Sequence, residues 1–301
     1  MTQAEYNSLY AQARATYSEL SLATYSRIEA AYASALDDIV QILKDLDAAG
    51  ASSLTVSGYQ QLELQLKQSA SAIQQAIATE TEALMTAGLN VGSDINIQYM
   101  DDVISNVTGL PFTVEQLQSA YIAANNAAMI STISRVFQSG YNFAESVIGV
   151  GQAFQDAVKE ILIQGQALLK NTREIAKELQ SQIVDGQLWK ALRIARSELY
   201  MSLQDAAVYQ GQMNPAATGM YEWILESTRQ HWNCACPDIA KNSPYEYNAV
   251  PGYPHPNCRC YVRPLLRSKI EFENDLKRWA NGEVVPYIDQ WYNGVYKTYA
   301  A

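Results

Sequence analysis

The side chains best suited to chemistry lie in one stretch, residues 231–264, which holds all four cysteines and both histidines of the 301-residue chain. The cysteines form two Cys-x-Cys pairs, Cys234/Cys236 and Cys258/Cys260, and His255 lies three residues before the second pair. Zinc prefers thiolate sulfur and imidazole nitrogen in a tetrahedron, with Zn–S distances of about 2.3 Å. Each pair could supply two corners of that tetrahedron, so the stretch predicts a zinc site.

Five candidate ligands compete for four positions. Prolines on both sides of His255 stiffen the backbone and orient its imidazole. The favoured set is Cys234, Cys236 and His255, with one or both of Cys258 and Cys260. A closed structural zinc site is the preferred interpretation, because it would stabilise a loop-rich region with little core of its own. Two disulfides, a catalytic metal with an open position, and free buried cysteines are the alternatives that the spacing leaves open.

An enzyme built on this metal would need an acid, a base or a nucleophile beside it. Asp238 and Glu226 are the nearest carboxylates in sequence, and neither belongs to a catalytic motif. The layout is only faintly similar to the HNH-type metal nucleases, since the chain has just two histidines. His255 is favoured for zinc, and His231 is favoured as a surface residue. We therefore predict a protein that is not an enzyme, with an HNH-like nuclease and a zinc DNA-binding module as alternatives.

Long helices are expected to carry this stretch, because the rest of the chain is rich in Ala, Gln, Leu and Ser. In the first helix, apolar and tyrosine side chains recur with a mean spacing of about 3.6 residues, which indicates packing against a partner helix. Capping boxes at Thr2 and Thr113 mark two helix starts, and Gly50 and Gly88 are expected helix ends, with the first two helices forming a hairpin. The predicted helices cover residues 2–48, 59–87, 113–140, 142–184 (loosened at 149–151) and 188–209.

Residues 89–112 are expected to be irregular, with a short helix at 99–107. Residues 221–225 alternate apolar and polar side chains, which predicts a strand that leads into the first cysteine pair. Ser268 is expected to cap a last helix that Gly282 ends, and an aromatic tail follows. The predicted fold is mainly α, an elongated long-helix bundle with a small Cys/His-stapled α+β C-terminal module. Its expected segments are a helical hairpin arm (1–112), central long helices (113–187), the Cys/His module (188–267) and a C-terminal helix with the tail (268–301).

The net charge of −10 is unevenly distributed. Residues 1–155 hold five Lys/Arg against fifteen Asp/Glu, and residues 156–301 hold sixteen of each. This argues against a broad DNA-coating surface, which needs clustered positive charge. No signal peptide and no purely apolar stretch of about 18 residues is evident, so we expect no stable membrane span. A reducing compartment then favours metal over disulfides.

The same region resembles a known family, the Mu F-like, or minor head, proteins of tailed bacteriophages. The resemblance covers residues 188–266 and is carried by Ala195-Arg196-Ser197-Glu198 on a helix, Trp223 in a strand, the first cysteine pair, and His255-Pro256-Asn257-Cys258-Arg259-Cys260 followed by Pro264. The HPNCRC hexapeptide is the specific part. The first pair departs from the family, which more often has two intervening residues, and Ser197 stands where Thr is usual. Some relatives carry a toxin or ADP-ribosyltransferase domain after the motif, whereas we expect a helix and an aromatic tail at residues 268–301 here.

The resemblance implies a structural virion protein in the phage head, near the portal and the capsid interior, after synthesis in the host cytoplasm. It implies a role in head assembly or early DNA delivery, with several copies around the portal. The expected partners are the portal protein and the major capsid protein, with packaged DNA as a further candidate. We expect partner or phosphate contacts from the basic cluster Arg259, Arg263 and Arg267 and from the tail residues Trp291, Tyr292 and Tyr296.

Overall fold

A computed structural model describes residues 1–49, 56–134, 142–168, 170–226, 234–255 and 258–300. Its helices are Gln3–Ala48 (α1), Val56–Ile104 (α2), Val114–Ser134 (α3), Phe143–Ala167 (α4), Thr172–Met213 (α5), Cys236–Lys241 (α6), Lys269–Ala280 (α7), Pro286–Gln290 (α8) and Lys297–Tyr299 (α9). A 3-10 turn spans Tyr247–Ala249, and a π-helical turn spans Trp291–Tyr296. The strands are Ala217–Ile224 (β1), Tyr245–Glu246 (β2) and Tyr261–Leu266 (β3).

The predicted helix starts are confirmed by reciprocal side-chain caps. The Thr2 backbone N–H donates to Glu5 Oε2 over 2.6 Å, and the Glu5 N–H donates back to Thr2 Oγ1 over 3.3 Å. Thr113 and Gln116 form the same pair of bonds at the start of α3, at 2.9 and 3.3 Å. Ser268 Oγ accepts from the third residue of α7 over 3.2 Å. Each bond satisfies a backbone donor that the first helical turn leaves without a partner.

The predicted end of the second helix at Gly88 is wrong, because α2 continues through the expected irregular segment to Ile104. Gly88 provides space instead of a stop. A Cβ atom there would lie 3.0 Å from Tyr17 Cε1, and the Tyr17 hydroxyl donates to the Gly88 carbonyl. The glycine therefore lets α1 approach α2 closely.

The predicted fourth helix, 142–184, is in fact two. α4 is continuous through 149–151 and ends at Ala167, and α5 then runs unbroken through 185–186 to Met213. A capping box that we overlooked starts α5. The Glu174 N–H donates to Asn171 Oδ1 and the Asn171 N–H donates to Glu174 Oε2, both over 2.9 Å. The predicted fifth helix is thus the second half of α5.

The chain divides into two compact units, each assembled from segments that are distant in sequence. Unit 1 comprises Met1–Leu20, Leu84–Ser134 and Ser197–Ala301. Unit 2 comprises Ser21–Ala83 and Arg135–Arg196. Helices α1, α2 and α5 each contribute residues to both units.

Unit 2 is built from all of α4 and parts of α1, α2 and α5. Tyr32 of α1 meets Phe154 of α4 edge to face, with ring centroids 5.9 Å apart. Ser69 of α2 donates to the Ala35 carbonyl of α1 over 3.2 Å, which agrees with the expected packing of the first two helices. Its core is formed by buried apolar side chains that recur at helical spacing, among them Ile28, Ile39, Leu43, Leu62, Leu66, Ile73 and Ile77.

Unit 1 joins helices to a three-stranded antiparallel sheet with the order β2-β1-β3. The predicted strand at 221–225 is confirmed as part of β1. The tyrosines Tyr6, Tyr10 and Tyr17 of α1 are buried in the same cluster as Cys236, Cys258 and Cys260. The cysteines therefore share the hydrophobic core of the helices.

A buried polar network crosses the helices of unit 1. Nε2 of Gln210 on α5 shares its two N–H donors among three acceptors, the Leu89 carbonyl at 2.6 Å, Asn125 Oδ1 at 3.1 Å and Ser93 Oγ at 3.2 Å. Asn125 of α3 also donates to Ser93 Oγ over 2.7 Å. Buried amides are costly unless they are hydrogen-bonded, so this network fixes the mutual register of α2, α3 and α5.

The predicted class, mainly α with long helices and a small α+β C-terminal module that carries a Cys/His cluster, is confirmed. Gly282 adopts φ +89°, as expected for a residue just beyond the end of α7. The expected helix ends at Gly50 and Gly140 lie outside the described residues. Within the described ranges, no helix combines the length and the apolar character needed to cross a membrane.

Candidate metal centre

The sheet brings the two cysteine pairs to one edge. β1 and β3 are antiparallel neighbours, and Ile224 at the end of β1 pairs with Tyr261 at the start of β3. The first pair follows β1 in the chain, and the second pair immediately precedes β3. Because antiparallel pairing places the end of one strand beside the start of the other, the cysteine pairs converge there.

Cys236 is presented by a short helix. It is the first residue of α6, and Pro237 follows it, where a missing backbone N–H costs nothing. The helix is held against the sheet because the Tyr245 hydroxyl of β2 donates to the Ile239 carbonyl over 2.6 Å. The Trp223 N–H of β1 also donates to Ser243 Oγ over 2.7 Å, just after the helix ends.

Cys236 lies at the centre of the cluster. Its Sγ is 3.3 Å from His255 Nε2 and 3.5 Å from Cys258 Sγ. Two overlapping groups of three potential ligands share Cys236: Cys234, Cys236 and His255, and Cys236, Cys258 and Cys260. Within each group, the ligand atoms all lie within 4.8 Å of one another.

The two separations around Cys236 are close to those between ligands of one tetrahedral metal ion. Zn–S bonds of about 2.3 Å place two ligand sulfurs about 3.8 Å apart, and a nitrogen ligand lies slightly closer. The measured separations around Cys236 are a few tenths of an ångström below that value. Each of the five predicted ligands thus belongs to a group that contains Cys236, and soft sulfur and imidazole donors match zinc.

Burial separates the five residues into two sets. Cys236, Cys258 and Cys260 are at most 1% exposed, whereas Cys234 and His255 are half-buried. Burial raises the pKa of the Cys236 thiol to about 12. Contact with Cys260, together with burial, also raises the pKa of Cys258 far above its ordinary value. A cation is required to hold these sulfurs as thiolates at neutral pH.

Disulfides do not account for the cluster as the structure has it. A disulfide needs an S–S distance of about 2.05 Å. The Cys236 and Cys258 sulfurs are 3.5 Å apart, and none of the four cysteines, all of which the structure describes, forms a disulfide.

Two side chains outside the cluster fix the backbone of the second pair. The Tyr253 hydroxyl donates to the Cys258 carbonyl, and the Arg14 guanidinium donates to the Arg259 carbonyl. Successive carbonyls between the two cysteines are therefore both anchored. Burial raises the pKa of Tyr253 far above its ordinary value, so this phenol remains a hydrogen-bond donor.

Arg14 is not among the site residues that the sequence predicts. It follows Ala13 on the stripe that Tyr10 and Tyr17 define at helical spacing, and both tyrosines are buried. A charged residue on an apolar face was the available signal. Tyr253 carried no comparable signal, because it lies in the loop between Cys236 and His255.

The predicted basic cluster is engaged within the chain. Arg263 of β3 pairs with Glu222 of β1 through two hydrogen bonds of 2.7 and 2.9 Å. Arg267 donates to the Ala217 carbonyl over 2.8 Å, and its guanidinium lies 4.0 Å from the centre of the Tyr287 ring. The role of these arginines, with Arg259, in partner or phosphate contact stays a prediction.

The aromatic tail packs around Phe112, the residue before the capping box of α3. Its ring centroid lies 5.5 Å from Trp291, 6.2 Å from Tyr292 and 5.1 Å from Tyr296. Trp291 also donates from its indole nitrogen to the Met213 carbonyl over 2.9 Å. Trp291 and Tyr296 are buried and Tyr292 is half-buried, so Tyr292 offers the largest exposed fraction for the predicted partner contact.

Among the described residues, neither Glu226 nor Asp238 belongs to a group of potential metal ligands. His231 lies outside the described residues, as do Pro256 and Asn257 of the hexapeptide. Glu226 lies 3.7 Å from Arg14. Within the described ranges, both groups of potential metal ligands consist of cysteine and histidine alone.

Comparison with protein-family models, with curated proteins and with solved structures finds no match to this chain.

Proposed function

We propose that the chain is a structural minor head protein of a tailed-phage virion, whose C-terminal region is held together by one zinc ion. The observation that carries the proposal is the convergence of both cysteine pairs and His255 on Cys236 at one edge of the sheet. The HPNCRC resemblance supplies the virion context. The sulfur-rich ligand set favours a structural metal site, which acts without a substrate.

A structural role is favoured over a catalytic one by the donor set. Catalytic zinc sites pair three protein ligands with an open position for water. Here the five candidate donors form two groups that share Cys236, and three of the five are fully buried. When bound, zinc would supply a cross-link between the segment after β1 and the segment before β3.

The residues that would hold zinc are ranked by the geometry. Cys236 belongs to both ligand groups, and Cys258 and Cys260 are the other buried sulfurs. Cys234 or His255 would complete the tetrahedron from the half-buried side. The sequence favours Cys234, Cys236 and His255 with one or both of Cys258 and Cys260, whereas burial favours Cys258 and Cys260 over Cys234 and His255.

Portal and capsid contact follows from the resemblance and is supported by the acidic first half of the chain. An acidic surface avoids adhesion to packaged DNA. The DNA-binding alternative is less favoured, because Arg263 and Arg267 already have partners within the chain. The nuclease alternative needs a base or nucleophile, and the ligand groups contain no carboxylate among the described residues.

The test is composition analysis of heads purified from a phage-producing culture that encodes the full chain, as wild type and as Cys236→Ser. We expect the wild-type chain to copurify with the portal protein, and the variant to be depleted from heads at equal expression. Ile270→Ala is the matched control, because this side chain is 75% exposed. Absence of the wild-type chain from heads, or cleavage of DNA by the purified chain, would contradict the proposal.

A further inference from the structure

The guanidinium of Arg14 links the N-terminal helix to the backbone of the second cysteine pair. It donates to the carbonyl of Arg259, the residue between Cys258 and Cys260. Both cysteines lie within one residue of the bonded carbonyl, so this bond restrains the directions of their side chains. Arg14 reaches across 245 residues of sequence to do so.

The Arg14 side chain is itself held in place. Its guanidinium lies 4.0 Å from the centre of the Tyr261 ring and 5.4 Å from that of Tyr200. Glu226 Oε2 lies 3.7 Å from Arg14 Nη2, and the Arg14 side chain is only 15% exposed. A planar guanidinium stacked on aromatic rings is a rigid donor, which an ammonium group would not reproduce.

The charges around the Arg14 guanidinium also favour its position beside the cluster. Burial of a cation is costly unless compensating charge is near, and burial lowers the pKa of Arg14. A zinc ion with three thiolates carries one negative charge, and with four thiolates it carries two. The carboxylate of Glu226 and the ring faces of Tyr200 and Tyr261 favour the charged form of Arg14. A negatively charged metal centre would therefore favour this arginine where it lies.

We propose that Arg14 is a positioning residue for the metal centre, which orients the Cys258–Cys260 segment and offsets the charge of its metal-bound sulfurs. The proposal rests on the zinc site proposed above. It implies that metal binding and the docking of the first turns of α1 stabilise each other. Partners in the shell behind metal ligands typically change affinity by about 10- to 100-fold when they are removed.

The test compares zinc binding by the purified full chain as wild type, Arg14→Gln, Arg14→Lys and Arg196→Gln. Arg196 is a matched control: its guanidinium lies 5.0 Å from the Tyr25 ring centre and donates to the Tyr25 hydroxyl over 3.2 Å, but in unit 2. Zinc affinity is read by competition with a chromogenic chelator. Co²⁺ is titrated in parallel, because its absorption spectrum reports sulfur ligation and tetrahedral geometry.

We expect Arg14→Gln to bind zinc about 10- to 100-fold more weakly and to show an altered Co²⁺ spectrum. Arg14→Lys should give a smaller loss, and Arg196→Gln should bind zinc as the wild type does. Wild-type zinc affinity and Co²⁺ spectrum in Arg14→Gln would overturn the proposal, even if its thermal stability fell. If Arg14→Gln does not fold, wild-type zinc affinity and a wild-type Co²⁺ spectrum in Arg14→Lys would overturn the proposal.

The two proposals fail differently. A wild-type chain that binds neither Zn²⁺ nor Co²⁺ would remove the metal centre itself, and both proposals with it. A wild type that binds zinc tightly, together with an Arg14→Gln variant that binds it equally well, would overturn only the role of Arg14.

Discussion

Replacement of Phe112 by alanine should destabilise unit 1 strongly. The side chain is 4% exposed, and its ring centroid lies 5.1 Å from Tyr296, 5.5 Å from Trp291, 6.2 Å from Tyr292 and 6.4 Å from Trp279. Buried Phe→Ala changes cost about 3–5 kcal/mol. With four aromatic neighbours losing contacts, we expect the upper part of this range, about 4–5 kcal/mol.

The assay is urea unfolding of the full chain, followed by tryptophan fluorescence, which reports on Trp279 and Trp291 among others. Val284→Ala is the control, because Val284 is 78% exposed and should change the free energy of unfolding by less than about 0.5 kcal/mol. A loss below about 1 kcal/mol for Phe112→Ala would refute the reasoning. The tail aromatics would then be available for partners in the way that their density in the sequence predicts.

Two further predictions concern the cluster and the buried network. Cys236→Ser should abolish stoichiometric zinc binding, whereas Cys234→Ser should retain zinc, because Cys236 belongs to both ligand groups and Cys234 to one. The zinc content of each variant is measured by metal analysis after gel filtration. Equal losses of zinc in the two variants would contradict the ranking of the ligands. Gly92→Ala should lower the free energy of unfolding by about 1–2 kcal/mol, because its Cβ would lie 2.1 Å from Gln210 Oε1 in an amide fixed by three hydrogen bonds. Gly149→Ala is the control for thermal unfolding, since nothing lies within 4 Å of the added atom and helix propensity should raise stability by up to about 1 kcal/mol.

Capping boxes predicted the starts of α1 and α3 correctly. Thr2 and Thr113 cap their helices as the spacing of Glu5 and Gln116 indicated, because a capping box is complete within four residues. The box at Asn171 carried the same signal, and recognising it would have placed the start of α5 correctly.

Helix ends were harder to predict, because a glycine can end a helix or admit a neighbour. Gly88 lies under the Tyr17 ring, and Gly92 lies under the Gln210 amide. Both contacts come from segments far away in sequence. No pattern near the glycines distinguishes this use from a helix stop.

The metal cluster was predictable in its members but not in its setting. The spacing of the cysteines predicts that Cys234, Cys236, Cys258 and Cys260 form one cluster with His255, because few other roles suit four clustered cysteines. The anchoring of that cluster by Arg14 depends on tertiary packing. The packing of the aromatic tail also depends on tertiary structure, because its side chains contact Phe112, which lies far earlier in the chain.

The most direct test of the account is elemental analysis of the full chain, purified without added metal under reducing conditions, with a parallel count of reactive thiols. We predict about one zinc per chain, with the cysteine thiols protected until a strong chelator removes the metal. A chain that contains well under one zinc, and whose four cysteines react freely or are paired as disulfides, would contradict the zinc centre on which the account depends.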